Sequence, residues 1–134
     1  MPRQLVFSSM RSMLLVTLGA CGYFQPVPPP VPFDAHDAPT GQGWSCTTWG
    51  EQNASHCERD VLTCARGQRA TPGSSACFDW KKPAFCFSYV EDSGTKHVEC
   101  SATKEYCTDR SDFWRAPGPS TVKREQVSMC QDVL

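Results

Sequence analysis

Cysteine is the residue whose spacing carries the most chemical information in this chain of 134 residues. The chain contains nine cysteines, a density typical of proteins whose thiols are oxidised to disulfides outside the cytosol. Eight of them fall into two sets with similar spacing, each with six residues between its second and third cysteine. A serine stands two residues before the last cysteine of each set, at Ser75 and Ser128. The sets are Cys46, Cys57, Cys64 and Cys77, followed by Cys86, Cys100, Cys107 and Cys130.

The six-residue gap limits how these cysteines can pair. Two residues seven positions apart on one helix are about 10.5 Å apart, whereas the Cα atoms of a disulfide are about 4.4–6.8 Å apart, so the second and third cysteines should not pair. Pairing within each set then leaves two schemes: first with third and second with fourth, or first with second and third with fourth. We prefer the former, because it joins the helix to the first strand and the second strand to the last. The preferred pairs are Cys46 with Cys64, Cys57 with Cys77, Cys86 with Cys107, and Cys100 with Cys130.

Few other residues have the spacing of a catalytic or metal-binding site. His56, Cys57 and Cys64 could supply zinc ligands, but they lack the paired C-x2-C spacing of structural zinc sites, and the repeat favours disulfides. His97 is predicted to lie on a half-exposed strand, and Asp109–Asp112 at a helix end and in a solvated loop. The sequence contains no H-E-x-x-H, no G-x-S-x-G and no phosphate-binding glycine loop. We therefore expect no enzyme activity, no catalytic residue, no cofactor and no metal site.

Large aromatic residues are the remaining candidates for a binding surface. They either pack in the core and cover the disulfides, or bind a carbohydrate or a protein surface. The charge is nearly balanced, with 13 Lys plus Arg and 14 Asp plus Glu, so nucleic acid is not an expected partner. The aromatic candidates are Trp49, Trp80, Phe113 and Trp114.

The ninth cysteine, Cys21, ends a pattern typical of an export signal. Arg3 and Arg11 are the only charged residues before Asp34, and a short apolar run lies between Arg11 and Cys21. The run is far shorter than the roughly 18–20 apolar residues that cross a bilayer as a helix. We therefore predict a signal peptide over residues 1–20.

Leu18-Gly19-Ala20-Cys21 resembles the lipobox of bacterial lipoproteins. The resemblance implies that the Cys21 thiol receives a diacylglycerol, that the signal is cut before Cys21, and that the new amino terminus is acylated. The membrane would then be a partner through the lipid anchor, and Gly22, in place of an aspartate, favours the outer membrane. The alternative is an ordinary secretory signal, with Cys21 left as an unpaired thiol on a secreted protein.

The rest of the chain divides into a tether and a domain. Residues 21–43 contain the lipidated cysteine and six of the 11 prolines, so we predict a semi-rigid extended tether there. Residues 44–134 form the disulfide-rich domain, in two copies at about 44–80 and 84–134. We expect the copies to pack on each other, with a shared sheet as one arrangement.

Each copy is predicted to be a β-β-α-β unit, which makes the fold a small α+β, disulfide-rich domain built by tandem duplication. The predicted helices are Glu58–Arg66, ended by Gly67, and Ser101–Asp109, with Ser101 as the N-cap. In the strand Phe85–Val90 the aromatic residues alternate with Cys86, Ser88 and Val90, so both of its faces should be covered by apolar groups.

The cysteine spacing over residues 44–130 resembles that of small cysteine-rich lipoproteins of myxobacteria and related soil bacteria. The resemblance implies a surface lipoprotein and no particular activity. We therefore predict a lipid-anchored cell-envelope lipoprotein of a Gram-negative bacterium, acting as a non-catalytic binding or structural module for an unknown protein or carbohydrate ligand. The alternative is a secreted, disulfide-stabilised enzyme inhibitor, small enzyme or toxin-like effector. A cleft that collected His56, His97 and acidic groups would favour an enzyme.

Overall fold

The computed structural model describes residues 25–50, 54–118 and 121–134, in which the chain forms a small α+β domain with four disulfides. The predicted α+β, disulfide-rich class is confirmed. Its first half contains β1 (Trp44–Thr48), β2 (Ser55–Glu58), α1 (Val61–Ala70) and β3 (Phe78–Trp80). Its second half contains β4 (Ala84–Val90), β5 (Lys96–Ser101), α2 (Lys104–Arg115) and β6 (Gln131–Val133). Short 3-10 turns lie at Ala35–Asp37 and Arg124–Gln126.

Each half builds its own three-stranded antiparallel sheet with its first strand in the centre. The strand orders are β2-β1-β3 and β5-β4-β6. The two sheets are joined at their edges rather than merged, since the Ala102 amide, just after β5, donates to Ser55 Oγ of β2 at 2.9 Å. The arrangement with a shared sheet is therefore not the one that forms.

The disulfides follow the second pairing scheme, and the preferred scheme is wrong. In the β1–β2 hairpin Cys46 lies directly opposite Cys57, with the Cα atoms 4.1 Å apart, and the β4–β5 hairpin repeats this with Cys86 and Cys100 at 4.1 Å. The first two cysteines of each set therefore close a hairpin, and the helix cysteine is left to join the fourth. The other two disulfides are consequently Cys64–Cys77 and Cys107–Cys130. The preferred pairs do not form: Cys46 with Cys64, Cys57 with Cys77, Cys86 with Cys107, and Cys100 with Cys130.

Both helices begin and end later than predicted. The side chain of Asp60 accepts hydrogen bonds from the amides of Leu62 and Thr63, so α1 begins after Asp60 rather than at Glu58. In the second half Thr103 takes the N-cap position predicted for Ser101. The second cysteine of each set thus lies in a strand, one residue before its end, and helical spacing is not what separates it from the third.

Strand β4 lies between two apolar clusters, as its alternation predicts. Ala84 and Cys86 belong to a cluster with Phe33 and Trp44, whereas Phe87 on the other face packs with Cys107 of α2. Val122 and Val127 complete the second cluster. Because one strand supplies both clusters, β4 is the central structural element of the molecule.

The proline-rich segment that was predicted to be an extended tether contacts the domain well before residue 44. The amide of Val31 donates to the Val127 carbonyl at 3.1 Å, and the Val31 carbonyl accepts from the Met129 amide at 2.8 Å. Phe33 is only 8% exposed. Further toward the amino terminus, the Pro28 carbonyl accepts from Arg115 Nη1 at 3.1 Å. The packed structure therefore includes residues that the sequence assigned to the tether.

Cys21 and the predicted signal peptide lie outside the described residues. Neither helix of the described ranges has the length and hydropathy that a membrane-crossing helix needs.

Candidate functional site

A cleft of about 480 Å³ lies between α1 and α2, with walls from both halves of the molecule. Helix α1 contributes small residues to it, and α2 contributes large polar ones. The principal lining residues are Trp49, His56 and Gly67 from the first half, and Glu99, Tyr106 and Arg110 from the second.

One wall of the cleft is an ion pair fixed by a third residue. Arg110 donates from Nε to Glu99 Oε2 at 3.2 Å and from Nη2 to both carboxylate oxygens at 3.2 and 3.3 Å. The indole N–H of Trp114 donates to Glu99 Oε1 at 3.3 Å. Both oxygens of Glu99 are thus engaged, whereas Nη1 of Arg110 has no hydrogen-bond partner in the described part of the chain. This wall can donate to a ligand more readily than it can accept.

Two aromatic rings, one from each half, also line the cleft. The rings of Trp49 and Tyr106 meet at nearly a right angle, with 85° between their planes and centroids 5.8 Å apart. Burial raises the pKa of the Tyr106 phenol. A phenol is protonated at neutral pH in any case, so the hydroxyl is a donor. That hydroxyl bonds to no other described residue, so the cleft holds a second unused donor.

The histidines are not brought together. His56 lines the cleft and its Nε2 lies 2.6 Å from Glu58 Oε1, whereas His97 stacks on Tyr89 away from the cleft, with centroids 5.2 Å apart. His97 Nε2 lies 3.3 Å from Glu91 Oε1. The arrangement that would have favoured an enzyme is therefore not present in the described residues.

The other candidate sites from the sequence have structural roles. The sulfurs of Cys57 and Cys64 are bonded to Cys46 and Cys77, so they cannot serve as thiolate ligands for zinc. The Asp109–Asp112 cluster was predicted to lie at a helix end and in a loop, and this is wrong, because α2 continues to Arg115 and buries Ser111.

Two of the aromatic candidates join a stack on the second half. The ring of Tyr89 stacks on Trp114 at 5.3 Å, and Phe113 meets Trp114 edge to face at 5.2 Å. Burial, followed by the charge of Glu99, raises the pKa of Tyr89 to about 12. Phe113 is 61% exposed, and Trp80 lies on the first sheet, where its indole N–H donates to the Pro83 carbonyl. Of the four candidates, Trp49 is the one that lines the cleft.

Sequence reasoning did not single out Tyr106 or Glu99, and it read Arg110 only as part of a polar cluster. A signal was present. The seventh residue after the N-cap is glycine in α1, counted from Asp60, and arginine in α2, counted from Thr103. The two helices therefore differ strongly in side-chain volume at this position.

Comparison of the chain with protein-family models, with curated proteins and with solved structures gives no significant match. The cleft must therefore be interpreted from its own chemistry: an aromatic pair, an engaged carboxylate and two unused donors, between two rigid disulfide-closed hairpins. Such a site can bind and orient a ligand.

Proposed function

We propose that this protein is a lipid-anchored cell-envelope lipoprotein of a Gram-negative bacterium, and that it binds a partner non-catalytically through the cleft between its helices. The observation that supports the lipid anchor is the number of cysteines left outside the disulfides. Eight of the nine cysteines are bonded to one another, so Cys21, at the end of the lipobox-like sequence, is the one left for another fate. Four disulfides also suit the oxidising envelope compartment.

The non-catalytic binding role is supported by the way the polar groups of the cleft are arranged. Glu99 accepts from Arg110 and Trp114, and His56 Nε2 lies beside Glu58, so each of these groups has a partner within the protein. Rigid aromatic rings with spare donors beside them are typical of recognition surfaces.

We also propose that the two halves arose by tandem duplication. The supporting detail is a pair of serines. The Ser75 amide donates to the Thr48 carbonyl at 2.7 Å and its Oγ accepts from the Thr48 amide at 3.0 Å. Ser128 makes the same two bonds with Ser88, both at 2.8 Å. Thr48 and Ser88 each follow the first cysteine of their set by two residues, and strand order and disulfide scheme also agree.

The anchor is tested by expressing the full chain in a Gram-negative host and measuring the intact mass of the membrane-extracted protein. We expect a chain that begins at Cys21 and carries a diacylglycerol and one further acyl group. The variant Cys21→Ser has no thiol to receive the diacylglycerol and should lose the lipid mass.

A matched control removes two other cysteines. The double variant Cys46→Ala with Cys57→Ala opens one hairpin disulfide and should retain the full lipid mass. A wild-type protein exported in soluble form with a free thiol at Cys21 would contradict the proposal.

A further inference from the structure

The cleft is lined at positions where the two halves differ strongly in side-chain volume. Counting from the N-caps Asp60 and Thr103 aligns Cys64 with Cys107 at the fourth position. The same count aligns Gly67 with Arg110, Ala70 with Phe113, and Thr71 with Trp114. The three small residues of the first half all line the cleft. The first half therefore has open space at the positions that large side chains occupy in the second half.

In the second half, the position that aligns with Thr71 is filled by the indole of Trp114. The ring of Trp114 stacks on Tyr89 with centroids 5.3 Å apart and 26° between the planes, and its N–H donates to Glu99. Tyr89 stands three residues after Cys86, the first cysteine of its set. The second half thus covers the aromatic residue of its central strand with a planar ring from its own helix.

In the first half, the equivalent aromatic residue has no such cover from its own helix. Trp49 stands three residues after Cys46, and Thr71 occupies the place of the indole, one residue beyond the end of α1. A Cβ atom added at Gly67 would meet nothing within 4 Å. Trp49 contacts instead the edge-to-face ring of Tyr106 from the other half. The open space is therefore next to an indole that lacks the stacking partner its counterpart has.

We propose that the cleft accepts an aromatic side chain of a partner protein, which packs against Trp49 as Trp114 packs against Tyr89. The proposal deepens the binding function proposed above and rests on it. Arg110 and Tyr106 both line the cleft, and their unused donors, Nη1 and the phenol hydroxyl, can bond carbonyl or phenol oxygens that accompany such a side chain. A volume of about 480 Å³ accommodates one large aromatic side chain with its neighbouring backbone.

The same chemistry argues against a saccharide as the occupant. Sugar hydroxyls need acceptors as well as donors, and carboxylates are strong acceptors for them. Glu99 is the carboxylate among the described cleft residues, and both its oxygens already accept from Arg110 or Trp114. A saccharide would therefore have to rely on hydroxyl acceptors of the lining, which are weaker than a carboxylate, whereas an aromatic side chain needs no such acceptor.

The test uses the oxidised full chain in detergent, with the acetylated tripeptide amides Gly-Trp-Gly and Gly-Leu-Gly and the sugars glucose and N-acetylglucosamine as probes. Binding is followed by nuclear magnetic resonance on the indole N–H of Trp49, assigned by its loss in Trp49→Leu. We expect a saturable shift with the tryptophan tripeptide and at least tenfold weaker binding of the leucine tripeptide.

Two substitutions test the place of binding. Thr71→Trp supplies the missing indole from the protein itself and should weaken binding of the tryptophan tripeptide at least tenfold, whereas the matched control Thr71→Ser should bind as the wild type does. Trp49→Leu, followed on the Tyr106 resonances, should weaken binding by a similar factor, and it serves as the test if Thr71→Trp does not fold.

The proposal is overturned if the leucine tripeptide binds as tightly as the tryptophan one, if neither binds, or if the substitutions leave binding unchanged. Saturable binding of a sugar at the Trp49 resonance, with no binding of the tryptophan tripeptide, would overturn the aromatic occupant and leave the proposed binding function standing. Loss of the anchor at Cys21 would affect the proposed localisation and not these peptide measurements.

Discussion

Ser75 and Ser128 each connect two segments of their own half through hydrogen bonds. Each uses both its amide and its hydroxyl on one residue of the neighbouring central strand, so the strand and the chain before the fourth cysteine are held together at one point. The sequence predicted that these serines were equivalent because each stands two residues before its cysteine. It could not predict their hydrogen bonds, since these depend on which strand lies opposite.

The two serines should differ in how much they stabilise the protein. Ser128 is fully buried, so Ser128→Ala leaves the Ser88 amide without a partner and should lower the free energy of unfolding by about 1–3 kcal/mol. Ser75 is only half-buried, and water can replace its hydroxyl in Ser75→Ala, so we expect a loss of about 0.5–1 kcal/mol. Urea unfolding at constant disulfide content measures both. Equal losses, or a larger loss for Ser75→Ala, would contradict the argument.

At the scale of the elements, the strands could be predicted from the sequence, whereas the disulfide pairing of their cysteines could not. Alternation in β4 correctly predicted two covered faces because the period of two is a local property of the chain. The disulfide scheme failed because it depends on register. A cysteine near the start of one strand and another near the end of the next are brought opposite each other only once the turn length is known.

The predicted helix bounds were wrong for a different reason. Asp60 and Thr103 outcompete the earlier candidates because their side chains are placed to accept from amides two or three residues ahead. Gly67 does not end α1, because the helix continues through it to Ala70. A glycine ends a helix only where its backbone adopts the left-handed αL conformation.

Helix α1 should gain stability from a side chain at its glycine. Gly67 lies in the helix interior, and a Cβ there meets open space, so Gly67→Ala should raise the free energy of unfolding by about 0.5–1 kcal/mol. Thermal unfolding followed by circular dichroism measures the gain. Gly94→Ala is the matched control, since its φ of 87° favours glycine, and that variant should be destabilised. A loss of stability in Gly67→Ala would show that the space beside α1 is not open.

At the scale of the whole molecule, the domain is organised around β4 and extends further toward the amino terminus than the cysteines indicate. Phe33 packs in the same cluster as Trp44 and Cys86, although no cysteine precedes it in the domain. The sequence could not assign Phe33 to the core, because the surrounding prolines favour an extended chain whether or not it is docked.

Replacing Phe33 tests whether this segment belongs to the domain. Phe33→Ala removes a ring that is 8% exposed and should lower the free energy of unfolding by about 3 kcal/mol. Val27, in the same segment, is 51% exposed, so Val27→Ala should change stability by less than about 0.5 kcal/mol. Chemical unfolding of both variants under non-reducing conditions measures the difference. A negligible effect of Phe33→Ala would mean that the segment is not part of the cooperative unit.

The cleft itself lies beyond what the sequence could predict, because its walls belong to elements far apart in the chain. Trp49 and Tyr106 meet only after the two halves have packed, and nothing local to either residue indicates the other. What the sequence did contain was the difference between the helices at Gly67 and Arg110, which becomes visible once the N-caps are known.

The docking of the segment before β1 also sets how far the domain can stand from the membrane. A free tether over residues 22–43 would reach about 70 Å as polyproline II. Since Pro28 is already held by Arg115, only six residues lie between Cys21 and this contact with the domain, and a chain of that length spans at most about 25 Å. With Cys21 lipidated as proposed, the domain would therefore be held close to the lipid headgroups.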